Sequence, residues 1–318
     1  MNSSALTVRI ENIEQLTADV RSYRLTPLDG GELPTFNAGA HIDLLLGEEL
    51  IRQYSLCGDP QQRGSYQIAV LKDPHSRGGS DYIHAELNAG DTLTINAPRN
   101  HFALDESAAH YQLIAGGIGI TPIMLMAARL QALGKSFTLH YLCRSAEQAP
   151  FASQLKEQFG DALNFHFTGG DAAKRLNIEA LFAAQPAGTQ VYTCGSEGLL
   201  QAILNAGEQQ PHVKIHFERF SAAPVDSSDD KAFEIELSSS GERLSVAPEQ
   251  SILEVLQAAG HSIDTMCKEG LCGSCEVEML GGEADHRDSV LSDDEKAEQS
   301  VLMVCCSRAK SDVIVLDL

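Results

Sequence analysis

The sequence predicts a multidomain chain: an antiparallel β-barrel, an α/β domain on a parallel sheet, and a small third domain. Three observations carry this. Short alternating apolar runs separated by turn residues fill the first hundred positions. Apolar strands alternate with helical stretches through the middle third. Five of the eight cysteines lie after residue 260, beyond a small, polar stretch at 221–230. The boundaries that follow are 1–105, 106–222, a linker at 223–230, and 231–318.

The barrel runs come first: Leu6 to Ile10, His41 to Leu45, Tyr66 to Leu71 and Thr92 to Ile95. Turn residues at Asp29-Gly30-Gly31, Gly58-Asp59-Pro60 and Asn88-Ala89-Gly90-Asp91 separate them. Closely spaced strands with such turns suggest a barrel. Within it, Arg52-Gln53-Tyr54-Ser55 reads as a strand with Arg52 and Tyr54 on one face and Ser55 on the other. An Arg and a Tyr on a shared face suit a phosphate and an aromatic ring. Ser76-Arg77-Gly78-Gly79-Ser80, entering a helix at Asp81, is a candidate anion nest, although a plain turn has the same composition.

Strands are expected next at 111–115, 137–142, 163–167, 190–194 and 213–217, with helices at about 122–133, 151–159, 177–184 and 196–207. The first strand runs into Gly116-Gly117-Ile118-Gly119-Ile120-Thr121-Pro122. Glycines there let a phosphate or ring approach the backbone; Thr121 suits a helix cap and Pro122 a first turn. Pro122 occupies the third glycine's place in the dinucleotide fingerprint, so that pattern is half met. Cys194-Gly195-Ser196 ends a later strand, and both glycine turns fall at the strand ends where open parallel sheets bind ligands. Cys194 is a site candidate against the plain alternative of an inert core thiol, which is how Cys57 and Cys143 read.

In the third domain, Phe233 to Leu237 and Glu242 to Val246 form a hairpin around Ser240-Gly241. Ser251 with Glu254, and Ser292 with Glu295, are capping boxes for two helices. Between them, Cys267, Cys272 and Cys275 stand at C-x₄-C-x₂-C spacing, and Cys305 follows after 29 residues. This is the plant-type [2Fe–2S] ligand pattern. Gly270 and Gly273 permit the backbone twists of a loop whose three sulfurs converge. Cys305 closes the apolar run 301–304, so a strand is expected to deliver it, with Cys306 facing the other way. Structural zinc would more often show paired C-x₂-C knuckles.

A net charge of −21 argues against nucleic acid as a partner. No apolar run is long enough for a membrane span and no basic-then-apolar leader opens the sequence, so a cytoplasmic location is the default and disulfides are not expected. Residues 231–318 hold 18 Asp/Glu against 7 Lys/Arg, either a solvated face or a docking surface for a basic partner.

Taken together, these residues resemble the phthalate dioxygenase reductase family, which includes vanillate O-demethylase and carnitine monooxygenase reductase subunits. The likeness covers essentially the whole chain. It rests on Arg52-Gln53-Tyr54-Ser55, Leu71-Lys72-Asp73-Pro74 with the 76–80 loop, Ala115 to Pro122, Tyr192-Thr193-Cys194-Gly195, His216-Phe217-Glu218-Arg219-Phe220, the four cysteines, Asp285-His286-Arg287-Asp288 and Cys305 to Ala309. Ser196 departs from the Pro usual in that family. The resemblance implies an FMN-binding barrel using Arg52, Tyr54, Ser55, Lys72, Gly79 and Ser80. It implies an NADH-binding, ferredoxin-reductase-like domain using Gly117, Gly119, Thr121, Cys194 and Gly195, with Phe220 against the flavin ring. Last comes a β-grasp ferredoxin domain whose cluster is held by Cys267, Cys272, Cys275 and Cys305.

Nicotinamide yields two electrons at once and a [2Fe–2S] cluster takes one, so a flavin between them is expected to divide the pair. Hydride transfer is placed near Thr121, Ser55 and Cys194. The implied partner is a terminal Rieske oxygenase; plant-type clusters lie near about −400 mV and Rieske centres at roughly −150 to +300 mV, so that transfer runs downhill. Alternatives are a cytochrome P450 partner, or a redox sensor without turnover. FAD in place of FMN, and NADPH accepted through Arg144, are the alternatives for the cofactors.

Overall fold

The computed structural model describes residues 5–47, 50–222 and 227–318. The chain divides by packing into two units, Met1–Glu218 and Arg219–Leu318.

The first unit opens with β1 (Ala5–Gln15), β2 (Val20–Pro27), β3 (His41–Leu46), β4 (Leu50–Ser55) and β5 (Tyr66–Leu71), then α1 (Gly79–Glu86) and β6 (Thr92–Asn96). The six strands lie in the order β4-β3-β6-β1-β2-β5, all antiparallel. Beyond the two edge strands, Leu56 bridges Ile68 and the Cys57 N–H donates to Gln67 O at 2.9 Å, so the barrel nearly closes. Closure leaves little open strand edge. Register pairs Leu44 with Arg52, Ile42 with Tyr54 and His41 with Ser55, which places Arg52 and Tyr54 together as alternation requires.

The parallel sheet follows: β7 (His110–Gly116), α2 (Ile120–Ala132), β8 (Ser136–Cys143), α3 (Ala152–Phe159), β9 (Leu163–Phe167), α4 (Ile178–Ala183), β10 (Thr189–Cys194), α5 (Glu197–Glu208) and β11 (Val213–Glu218). Strand order is β11-β10-β7-β8-β9, every pair parallel. One face packs Ile114 and Val191 against α4 and α5. The other packs Leu113, Leu139 and Tyr141 against α2 and α3, in a core continuous with the barrel's. The expected boundary at 105/106 is no gap in packing. The Asp105 N–H donates to Tyr192 Oη at 2.7 Å, and Tyr111 Oη donates to Asp105 O at 2.9 Å.

The second unit holds β12 (Phe233–Leu237), β13 (Arg243–Val246), α6 (Ile252–Ala258), β14 (Glu276–Gly281), β15 (Ala284–Asp285), α7 (Asp293–Glu298), β16 (Val301–Met303), β17 (Arg308–Ala309) and β18 (Val313–Leu316). A mixed sheet, β13-β12-β18-β14-β16, buries one face against Ile252, Leu253, Val255 and Leu256 of α6. Both capping boxes form at α6 and α7. Of the expected linker, residues 223–226 lie outside the described ones. Its last residue, Asp230, is fastened to the second unit: Arg287 Nη1 donates to its Oδ2 at 2.9 Å, and Arg308 Nε lies 3.4 Å from the same oxygen.

Two local expectations are corrected. Helix α2 begins at Ile120 with Gly119 as its cap residue, so Thr121 is not the cap; its hydroxyl instead donates back to Ile118 O at 3.0 Å. Cys305 and Cys306 lie in a turn after β16 and not on the strand, because the Cys306 and Ser307 N–H groups both donate to Met303 O.

Candidate functional site

The chain reverses its direction of sheet growth between β7 and β10, and there the C-terminal ends of two parallel strands open a crevice. Both strands end in glycine turns, and the turns are pressed together. A Cβ on Gly119 would lie 2.3 Å from Cys194 O, and one on Gly195 would lie 3.1 Å from the Gly116 Cα. The glycines at 116, 119 and 195 are therefore demanded by close approach. The N-terminus of α2 points into this gap, a place where backbone N–H groups and the helix dipole favour an anion. Thr121 is buried beneath the turn.

Register carries the crevice one strand further. Ala115, Cys194 and Glu218 lie side by side on β7, β10 and β11. Cys194 is fully buried, and burial, reinforced by the neighbouring Glu218, keeps its thiol well above the ordinary range. Glu218 is partly exposed as a residue, but its Oε2 is fully covered and no donor reaches it. Burial pushes its carboxyl up to about 8. The covered oxygen decides its state, since a carboxylate loses its hydration there and gains no hydrogen bond. At neutral pH both Cys194 and Glu218 carry their protons. Glu218 was missed in the sequence reading; the signal was an acid at the C-terminal end of a parallel strand.

On the barrel, Arg52 is folded over the start of α1. Its Nη2 donates to Arg77 O at 2.7 Å and its Nη1 to Ile51 O at 2.9 Å. A Cβ on Gly79 would sit 2.5 Å from Arg52 Cγ, so this glycine is what lets the guanidinium lie on the helix N-terminus. Gly78 takes φ 90 as the residue before the helix. The Asp73 N–H donates to Ser80 Oγ at 3.2 Å, which brings Lys72 to the same corner. Arg52, Lys72, Gly79 and Ser80 thus gather as a cationic nest that fits a phosphate, and Tyr54 rises on the Arg52 face with its phenol pushed up by burial. Ser55 is buried at the far end of β4. Strand β5 touches the 117–119 turn, so the barrel wall meets the crevice. Phe220 falls in the second unit, just after β11, with an exposed ring.

The cysteine loop of the second unit is preformed. Gly270 and Gly273 take φ 67 and 74, and Lys268 takes φ 58. That winding turns the Glu269 and Leu271 N–H groups onto Cys267 Sγ, at 3.3 and 3.4 Å. The four thiols lie as two neighbouring pairs, Cys267 beside Cys272 and Cys275 beside Cys305. Within the first pair the bond from Cys267 lowers the Cys272 thiol to about 5, while Cys267 is raised. Among the described residues no three such side chains close on one point, as a single ion would require. Two pairs of thiols are the donor set of a two-iron centre, in which each iron takes two thiolates besides the bridging sulfides. Cys306 also neighbours Cys305, but its sulfur is packed on the loop. Its Sγ backs onto Gly270, 2.5 Å from where a Cβ would stand, and reaches Met303 O at 3.8 Å.

Comparison with known proteins agrees with this geometry. Residues 235–310 match a family described as 2Fe-2S iron-sulfur cluster binding domain, and residues 93–212 match dimethylamine monooxygenase subunit DmmA-like, N-terminal domain. The chain is 43% identical over 316 residues to a vanillate O-demethylase oxidoreductase of Pseudomonas sp. (strain HR199 / DSM 7063), covering 98% of this chain and 100% of that one. It is 39% identical to phthalate dioxygenase reductase of Burkholderia cepacia over 98% of this chain and 97% of the relative. A solved phthalate dioxygenase reductase, described as modular for electron transfer from pyridine nucleotides to [2Fe-2S], superposes with TM-score 0.73 over 99% of this chain and 98% of that one. An intact type IV self-sufficient cytochrome P450 monooxygenase superposes with TM-score 0.90 at 42% identity, but this chain spans only 41% of its length.

Proposed function

The chain belongs to the phthalate dioxygenase reductase family, and from that premise we propose that it carries electrons from NADH through FMN to its [2Fe–2S] cluster and on to a terminal Rieske oxygenase. One observation supports this most: a dinucleotide-type crevice and a two-plus-two set of thiols lie on one polypeptide. A hydride source and a one-electron outlet in the same chain need a flavin between them, and the cationic nest on the barrel fits its phosphate. When bound, the flavin supplies the conversion of an electron pair into single electrons.

The chain's own residues position, cover and neutralise. Arg52, Lys72 and Ser80 hold the phosphate, and Gly79 lets it reach the helix N-terminus. Tyr54 lies along the ring, and Ser55 borders it. The α2 N-terminus and the close-set turns at Gly117, Gly119 and Gly195 receive the pyrophosphate, with Thr121 fixing the turn by its bond to Ile118 O. Cys194 and Glu218 stay neutral at the crevice floor, so neither places a fixed charge beside the bound dinucleotide. In the second unit the N–H groups of Glu269 and Leu271 stabilise thiolate at Cys267.

Cys272→Ser tests the order of carriers. NADH-dependent reduction of cytochrome c or of the oxygenase should fall to background, while direct flavin-to-ferricyanide activity should hold. Equal loss of both would defeat the proposed order. The partner is tested by NADH-driven turnover of a purified Rieske oxygenase against a P450 in the same assay; preference for the P450 reverses that part of the reading. Negligible NADH oxidation with any acceptor would favour a sensor.

A further inference from the structure

The second unit holds a buried acid that the path of electrons described above does not use. Asp288 lies between β15 and α7, and its side chain is fully buried. Its Oδ2 accepts from the Val290 N–H at 3.1 Å and from the Leu291 N–H at 2.8 Å. Its Oδ1 is covered and has no hydrogen-bond partner among the described residues. Buried acids are ordinarily paired or bonded at both oxygens. The groups around this one do not cancel its charge. His286 Nδ1 is 3.8 Å from Oδ1, and neither ring nitrogen of His286 has a hydrogen-bond partner among the described residues. Burial lowers the pKa of that imidazole, so it stands neutral beside the acid at neutral pH. Lys296 Nζ donates to the Asp288 carbonyl at 2.8 Å but stays 4.0 Å from Oδ2, with part of its side chain in solvent. Arg287 is taken up by Asp230 and Asp285.

The acid is packed against the cysteine loop. A Cβ on Gly270 would lie 3.0 Å from the Asp288 Cα and 3.1 Å from its Cβ. The Ser289 N–H donates to Gly270 O at 2.9 Å. That carbonyl belongs to the same peptide group as the Leu271 N–H, which donates to Cys267 Sγ at 3.4 Å. One peptide group thus joins the segment carrying Asp288 to a ligand sulfur, and the two bonds to Oδ2 keep that segment folded. A buried charge in such a place is weakly screened. Reduction of a cluster adds one electron and makes or breaks no bond, so its ease depends on the charges nearby.

We propose that Asp288 sets the potential of the cluster: its carboxylate, packed on the loop at Gly270, opposes the incoming electron, which keeps the cluster hard to reduce and ready to pass that electron on. Lys296 offsets part of this charge from the solvent side. The assignment rests on the reading of the four thiols as a [2Fe–2S] site.

The experiment is a redox titration of the full, flavin- and iron-loaded chain with dithionite and mediators. The readout is the electron paramagnetic resonance signal of the reduced cluster against solution potential, with iron and sulfide measured on the same samples. Asp288→Asn removes the charge and keeps the shape. Its NH₂ can stand in the place of Oδ1, which has no donor to lose, so both bonds at the other oxygen survive. The ratio of reduced to oxidised cluster at a fixed potential should rise by about tenfold, the scale of one weakly screened charge. Lys296→Gln should move the ratio the other way by a smaller factor, because that cation is partly solvated. A purely structural part for Asp288 would change the cluster content and leave the ratio where it is. An Asp288→Asn protein with full iron and sulfide and an unchanged ratio would therefore overturn the assignment alone. If that variant holds no cluster, Lys296→Gln decides: a lowered ratio supports the assignment, and an unchanged or raised one overturns it. An unaltered protein without iron and sulfide would overturn the reading of the thiols, and the assignment with it.

Discussion

The cluster loop takes three of its four sulfurs from nine consecutive residues, 267–275, and the fourth from a turn at 305. The crevice is assembled from stretches at 116–121, 194–195 and 218, which meet only when three parallel strands are in register. The first site is written in local spacing, and its loop needs only two glycines and one strained lysine to wind correctly. The second is written in topology, so its chemistry depends on which strands are neighbours. A local site fails when a ligand is removed. A topological one fails when its packing is disturbed, even with every polar group present.

The largest effect separates the two modes at the cluster itself. Cys305→Ser removes one thiol of the Cys275/Cys305 pair and should abolish the cluster's visible absorbance and its iron and sulfide content. Cys306→Ser should retain both, because that sulfur packs on Gly270. If Cys306→Ser instead lost the cluster and Cys305→Ser kept it, the turn after β16 would deliver the other sulfur and the pairing described above would be wrong.

In the crevice the corresponding break is steric. Gly119→Ala adds one methyl group where 2.3 Å separates it from Cys194 O, and the obstacle is backbone that cannot swing aside. Gly119 has an ordinary helical φ of −61, so the cost is overpacking alone, of order 3 kcal/mol. Denaturant unfolding and NADH-dependent flavin reduction should both report it. Gly117→Ala meets nothing within 4 Å but sits at φ 53, and should cost only about 1–2 kcal/mol. A reversal of that order would mean the two turns are not in contact.

The same contrast explains what the sequence disclosed. Cysteine spacing, capping boxes and glycine turns are short-range signals, and the structure holds them where they were expected. The strands fell close to their expected bounds because their apolar alternation is local too. Cross-strand relations were not legible. Glu218 acquires its state from burial against strands distant in sequence, and Tyr141 Oη lies 3.2 Å from two carbonyls 33 residues apart in sequence, at 117 and 150. Thr121 was misread as a cap because its type suits that role, while the helix starts two residues earlier, where Gly119 closes on Cys194. Asp230 looked like linker because its partners, Arg287 and Arg308, come more than fifty residues later.

A pH-dependent effect tests whether Glu218 belongs to the crevice floor as a neutral acid. Its folded pKa is raised to about 8 from 4.5. A group raised on folding contributes stability that is fully present below its unfolded value and is lost as pH rises through the folded one. Between those limits the folded chain keeps a proton that the unfolded chain has released, so Glu218 should cost about 1.4 kcal/mol of stability per pH unit. Gln has the same shape and no titration. Urea unfolding of the unaltered protein and of Glu218→Gln at pH 5.5 and 7.5 isolates the term, because the other titrating groups contribute equally to both. Stability should decline more steeply with pH in the unaltered protein. Matching slopes would mean the carboxyl reaches solvent or a cation, and the crevice floor would then carry a charge where two buried, protonated groups have been described.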